Sequence, residues 1–112
     1  PLLLNPSNSS AWDGGVLLAK YLEQEFGPAS HGQQLSCLDL GTGTGVTGLS
    51  FAALGHKVLL SDVGDDVAEV VRGHIRENHH VISAAGGLAT YEEIDWKHLP
   101  ERERFGAFDL VF

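Results

Sequence analysis

The stretch Leu38–Gly48, LDLGTGTGVTG, limits what this chain can fold into more than any other part of it. The short apolar run Leu35–Leu40 reads as a buried strand. Glycines at 41, 43, 45 and 48 crowd the turn after it, and Val46–Leu54 then reads as a helix ended by Gly55. Glycine loses more backbone freedom on folding than any other residue, so such a cluster is destabilising unless something must come close to the backbone. Glycines that close a first strand and open a helix let a ligand reach the N–H groups at the helix N-terminus.

The flanking sequence extends this unit in both directions. Asp13 is a candidate helix N-cap; Leu18, Leu22 and Phe26 then recur at i+4 with Leu17 and Tyr21 beside them, which predicts one amphipathic helix stopped by Gly27-Pro28. Ala29–Gln34 reads as a linker. Lys57–Ser61 is a second strand closed by Asp62, and Asp65 or Asp66 can cap a helix whose stripe is Val67, Val71 and Ile75, with Arg72 and Arg76 pointing away from it. His79–Gly87 is expected to be a loop, Leu88–Ile94 a weaker strand, Pro100–Gly106 a polar connection and Ala107–Phe112 a last strand. Strands alternating with helical patterns imply an α/β fold with a parallel sheet and right-handed crossovers.

Composition narrows the partners. The chain has 112 residues, 43% of them hydrophobic, which suits one small water-soluble domain. Its formal net charge of −8 disfavours nucleic acid, whose phosphates need a basic surface, and suits a basic protein or peptide. No apolar run approaches the ~20 residues that span a bilayer, so no membrane partner is expected. Cys37 is the one cysteine, so no internal disulfide can form; it reads as a small buried side chain, and a reducing, cytoplasmic or nuclear setting is expected. The chain has no methionine and its last strand stops with nothing after it, so a piece of a longer protein is expected. His74, His79 and His80 are explained by a helix end and its dipole rather than by a metal site, and no metal is expected.

A carboxylate at the tip of the second strand, about twenty residues after the glycines, can accept hydrogen bonds from both hydroxyls of a ribose. Asp62 stands there, so loop and acid together point to a nucleoside-containing ligand. Gly43–Gly48 can be read as GxGxxG, a dinucleotide fingerprint. Asp39, however, makes the pattern D-x-G-x-G-x-G with Gly41, Gly43 and Gly45. A carboxylate there repels a pyrophosphate and attracts the ammonium and sulfonium of S-adenosylmethionine. The alternative role for Asp39 is to cap the glycine loop through backbone N–H groups, which the same ligand tolerates.

LDLGTGTG resembles the first motif of class I S-adenosylmethionine-dependent methyltransferases. AWDGGVLLAKYLE at Ala11–Glu23, the glycine segment through Asp62, EIDW at Glu93–Trp96 and the terminal FDLVF, in that order, resemble the seven-strand, methyltransferase-16-like protein-lysine methyltransferases that act on non-histone proteins. The resemblance spans nearly the whole chain; the WDGG helix and the IDW segment are its more specific parts. It implies a Rossmann-like, doubly wound sheet, order 3-2-1-4 in the part present, preceded by an N-terminal helix and truncated before the C-terminal half. Residues 1–12 would be a leading segment, 13–34 the first helix and linker, and 35–112 the sheet and its helices. It also implies that Trp12 lines the cofactor pocket, and that Gly41, Thr42 and Gly43 hold the methionine part and sugar. Asp62 would bind the ribose, and Trp96 would lie against the adenine with Asp95 a partner for its amino group. Read without the family, a tryptophan is more often a core residue than a stacking platform. The Asp-x-x-Tyr-like stretch that lines such enzymes' lysine channel would lie after Phe112, so no catalytic residue is expected here, and no catalysis from this segment alone. Three other readings stay open: methyl transfer to a small molecule or, against the acidic balance, a nucleic acid; a nicotinamide-dependent oxidoreductase; and a non-catalytic scaffold.

Overall fold

The computed structural model describes residues 13–98 and 107–112. The chain runs α1 (Asp13–Phe26), a 3-10 turn (Ala29–His31), β1 (Ser36–Leu40), α2 (Val46–Ala52), β2 (Lys57–Asp62), α3 (Asp65–Glu77), α4 (His79–Ala84), β3 (Leu88–Glu93) and β4 (Leu110–Val111). The strands form one parallel sheet in the order β3-β2-β1-β4, the arrangement expected from the sequence. α2 lies on the sheet, α1 packs on α2, and α3 covers β3. Leu40 pairs with Ser61 and Asp62 with Glu93, so the C-terminal ends of three strands lie side by side. That alignment sets the turn after β1 next to the tip of β2.

The core lies between sheet and helices. Cys37, Leu49, Phe51, Leu60 and Val71 are fully buried, and each large apolar side chain contributes roughly 1.5–3 kcal/mol by leaving water. Burial pushes the Cys37 thiol up to about 12, with Asp109 adding to the shift, so the thiol stays protonated and is a packing residue. Phe51 gathers three rings: Phe26 and Phe112 meet it edge-on at 6.0 and 6.1 Å, and His56 stacks on it at 4.2 Å. His56 also ties two connections together. Its Nδ1 accepts the Leu35 N–H at 3.0 Å, which leaves the ring proton on Nε2 to reach the Gly27 carbonyl at 2.9 Å.

Three local expectations need correction. The predicted loop His79–Gly87 begins with α4. Buried Asn78 bends the chain there, its side-chain amide donating to the His74 carbonyl at 2.7 Å, and Ile82, 3% exposed, anchors the new helix in the core. Neither Asp65 nor Asp66 caps α3; Gly64 does so at φ +104°, and the two acids sit in the first turn, where their charge favours the helix dipole. Arg72 is exposed, as expected, and its guanidinium lies over the Tyr91 ring at 5.2 Å, because its long stem can follow the apolar surface while the charge stays in water. The last strand is shorter than Ala107–Phe112, although Asp109 and Phe112 still bond to Ser36 and Leu38. The proposed capping side chain of Asp13 and the polar connection Pro100–Gly106 lie outside the described residues.

Candidate functional site

The glycine turn is held by bonds that converge from both central strands. The Thr42 N–H reaches the Ser61 carbonyl at 2.8 Å, and the Gly45 N–H closes a turn onto the Thr42 carbonyl at 2.9 Å. The Thr42 hydroxyl donates to Asp39 Oδ2 at 2.6 Å, and the Gly43 N–H donates to Asp62 Oδ2 at 2.8 Å. The other Asp62 oxygen takes the Val63 N–H at 2.8 Å. The acid at the tip of β2 is therefore fastened to the loop it was expected to face.

In front of this turn lies a cleft of about 440 Å³. Its walls include Gly14, Leu18, Asp39, Gly41–Thr44, Asp62 and Phe112. The volume falls in the ~300–1,000 Å³ range of small-molecule sites. A hollow of about 490 Å³ also runs along α3, but its wall is one helix face carrying Asp66, Glu69, Arg76 and Glu77, a mixed-charge helical surface without the left-handed glycines of the first.

The four glycines do different things. Gly43 has φ +60°, and a Cβ placed on it would meet nothing within 4 Å, so its bare backbone faces open space. Gly41 faces the edge of Trp96, whose Cζ2 would lie 3.2 Å from an added Cβ. Gly45 and Gly48 are buried behind the turn. An added Cβ on Gly48 would sit 2.7 Å from Asp39 Oδ2 and 2.9 Å from Leu60 Cγ, so this glycine lets α2 lie close on the sheet. Close packing of core side chains thus explains two of the four, and open backbone beside the cleft belongs to the other part of the turn.

Asp39 is 4% exposed although it borders the cleft. Burial raises its carboxyl from 3.8 to about 6; the Thr42 hydroxyl and the Gly48 backbone amide hold it down, and the charge of Asp62 pushes it further up. Its contacts are those of a brace for the loop, the alternative role read from the sequence. At neutral pH it still carries charge behind the cleft wall.

The structure brings Asp39, Gly41, Thr42, Gly43 and Asp62 together around the cleft. Trp96 is not part of the cleft wall; its ring edge lies beside Gly41 and it is 62% exposed. Half-buried Asp95 uses one carboxylate oxygen on the Lys97 N–H at 2.9 Å. Gly45 stands behind the turn, against Leu49 and Leu60. Trp12 lies outside the described residues. The sequence reading missed Ser61, whose hydroxyl donates to the Asp39 carbonyl at 2.7 Å. It also missed Thr47, whose hydroxyl holds the Gly15 carbonyl at 2.8 Å and so draws the start of α1 to the cleft. The paired small residues Gly14-Gly15 were the available signal for that contact.

Comparison with known proteins bears on the family and the fold. The chain is 30% identical over 96 residues to methyltransferase-like protein 22 of Mus musculus, a match covering 83% of this chain and 23% of that protein. It is 39% identical over 67 residues to protein N-lysine methyltransferase METTL21A of Xenopus tropicalis, covering 60% of this chain and 29% of that protein. The chain thus spans less than a third of the length of these relatives. Among solved structures, the Pyrococcus abyssi tRNA (uracil-54, C5)-methyltransferase, in complex with S-adenosyl-L-homocysteine, shares the fold with a TM-score of 0.62 at 19% identity, over 88% of this chain and 21% of that one. A family model described as lysine methyltransferase matches residues 4–112, taking in all four strands and the glycine turn between the first two. With so nearly complete a match, the chain belongs to the lysine methyltransferase family.

Proposed function

We propose that the full-length protein is an S-adenosylmethionine-dependent methyltransferase acting on a lysine side chain of a protein, with the cleft at residues 41–44 as its cofactor site. The observation that carries this reading is the Gly43–Asp62 hydrogen bond at the mouth of the cleft. It holds bare backbone and a carboxylate side by side, the pairing that a ribose next to a methionine chain requires. Each Asp62 oxygen has one backbone donor and room for a second, so both can still accept from ribose hydroxyls. The open face of Gly43 leaves space for the cofactor's chain, and Asp39 contributes negative charge that matches a sulfonium and an ammonium. Trp96, whose ring edge lies beside Gly41, would offer its exposed ring to the adenine, with Asp95 beside it in sequence; Trp12 would line the pocket from the leading segment.

When bound, the cofactor supplies the methyl group; the protein supplies position and field. A lysine has a reference pKa of about 10.4 and must lose a proton before it attacks, which a desolvated channel favours. No side chain of this segment needs to act as nucleophile. Residues 1–112 are read as the cofactor-binding part of one methyltransferase domain, working in the cytoplasm or nucleus. The net charge of −8 favours a basic segment as the methyl acceptor.

Calorimetry on the full-length protein tests the site. Binding of S-adenosylhomocysteine without binding of NADH supports the reading, and the reverse overturns it. Transfer of radiolabelled methyl into a cell extract, followed by identification of the labelled lysine, tests the acceptor.

A further inference from the structure

Most braces of the glycine turn come from β1 and β2, but one comes from α3. His74 lies in the middle of that helix, 2% exposed, one turn from buried Val71. Its Nδ1 is 2.7 Å from the Thr44 carbonyl oxygen, across 30 residues of chain. A carbonyl can only accept, so Nδ1 carries the proton and donates. The N–H of the same peptide group, that of Gly45, is spent on the Thr42 carbonyl at 2.9 Å. The Thr44–Gly45 peptide is therefore clamped at both ends, and with Gly43 tied to Asp62 the turn has little freedom to flip. An aliphatic side chain would suit the burial at position 74 equally well. The imidazole adds a directed donor, which the buried carbonyl of Thr44 needs.

We infer that His74 is a positioning residue: from α3, its Nδ1–H sets the orientation of the Thr44–Gly45 peptide and so holds the turn in the shape that presents Gly43 to the cofactor. This rests on the cofactor site proposed above. α3 begins directly after the loop that follows Asp62, so one helix carries the clamp for the turn and continues from the strand that carries the ribose acid. Movement of α3 would reach the cofactor through this bond.

The test uses two variants of the full-length protein. His74→Leu removes the donor and keeps the bulk. His74→Asn keeps a donor, since its side-chain Nδ2 falls near the place of Nδ1. Calorimetry with S-adenosylhomocysteine is expected to show binding weakened about tenfold or more in His74→Leu and restored to within a few-fold of wild type in His74→Asn. Both variants are expected to melt below the wild type. Two results overturn the inference: unchanged affinity in both variants, or equal loss in both, which would trace the effect to packing. A wild type that binds no S-adenosylhomocysteine overturns the cofactor site itself, and this inference with it. If His74→Leu is insoluble, nitrogen NMR of the wild-type imidazole decides. A protonated Nδ1 whose exchange slows on adding S-adenosylhomocysteine supports the role, and an unprotonated Nδ1, or exchange indifferent to the ligand, refutes it.

Discussion

The Gly43 N–H donates to the Asp62 carboxylate at 2.8 Å, joining the glycine turn to the tip of the neighbouring strand across 19 residues of chain. Turn and acid therefore form one rigid unit before any ligand arrives, which lowers the ordering cost of binding. Replacing Asp62 by alanine removes both this brace and the proposed ribose acceptor. Charge-assisted hydrogen bonds of this kind are worth about 1.5–3 kcal/mol, so affinity for S-adenosylhomocysteine should fall by roughly ten- to a hundredfold. Calorimetry on Asp62→Ala measures it; an unchanged affinity would place the ribose elsewhere.

Two glycine substitutions should separate binding from stability. Gly43→Ala projects a methyl group into open space beside the cleft, with strain at φ +60° of about 1–2 kcal/mol, and is expected to weaken binding more than it lowers stability. Gly48→Ala drives its Cβ to 2.7 Å from Asp39 Oδ2 and 2.9 Å from Leu60 Cγ. Overpacking costs about 1–3 kcal/mol, partly offset by the ~1 kcal/mol helix preference of alanine over glycine. Urea unfolding alongside calorimetry distinguishes the two; the opposite ranking would contradict the packing role of Gly48.

Asp39 gives a pH signature with a definite sign. Its folded-state pKa, about 6, lies above the ordinary 3.8, so between these values the folded protein holds a proton that the unfolded chain has released. Stability from this group is thus present at acid pH and is lost as pH rises from about 4 through 6. Asp39→Asn cannot ionise. Relative to the wild type it should gain on the order of 2–3 kcal/mol between pH 4 and pH 7.5. Denaturant unfolding at both pH values checks this, and a pH-independent difference would mean that the carboxylate is not buried as seen.

His56 offers the matching control at the opposite end of the sheet. It joins the connections that precede β1 and β2, far along both strands from the glycine turn. His56→Ala strips two hydrogen bonds and the stack on Phe51, and should destabilise the fold by about 2–4 kcal/mol. Affinity for S-adenosylhomocysteine, measured where the variant is folded, should hold. A selective loss of binding would show that the two ends are coupled.

The sequence by itself determined the alternation of strands and helices, the sharp turn after β1 and the acid at the tip of β2. These follow from short-range causes: apolar periodicity, the steric freedom of glycine, and the stop signals at Gly27-Pro28 and Gly55. The parallel sheet with right-handed crossovers followed from that alternation, whereas the strand order was implied by the family resemblance alone. Only the tertiary structure decided what each residue of the turn faces. LDLGTGTGVTG presents its glycines alike, yet Gly48 is bare because Asp39 and Leu60 press on it, while Gly43 is bare beside open space. Asp39 reads as a ligand-facing acid until its partners, the Thr42 hydroxyl and the Gly48 amide, are seen. His79–Gly87 has loop composition, and Ile82 and Asn78 make a helix of its first part because the core accepts them. His74 and His56 are clamps whose partners lie 30 and 29 residues away. Local rules read the chain in windows of a few residues, whereas burial and hydrogen-bond partnership are set by whatever folding carries in from a distance.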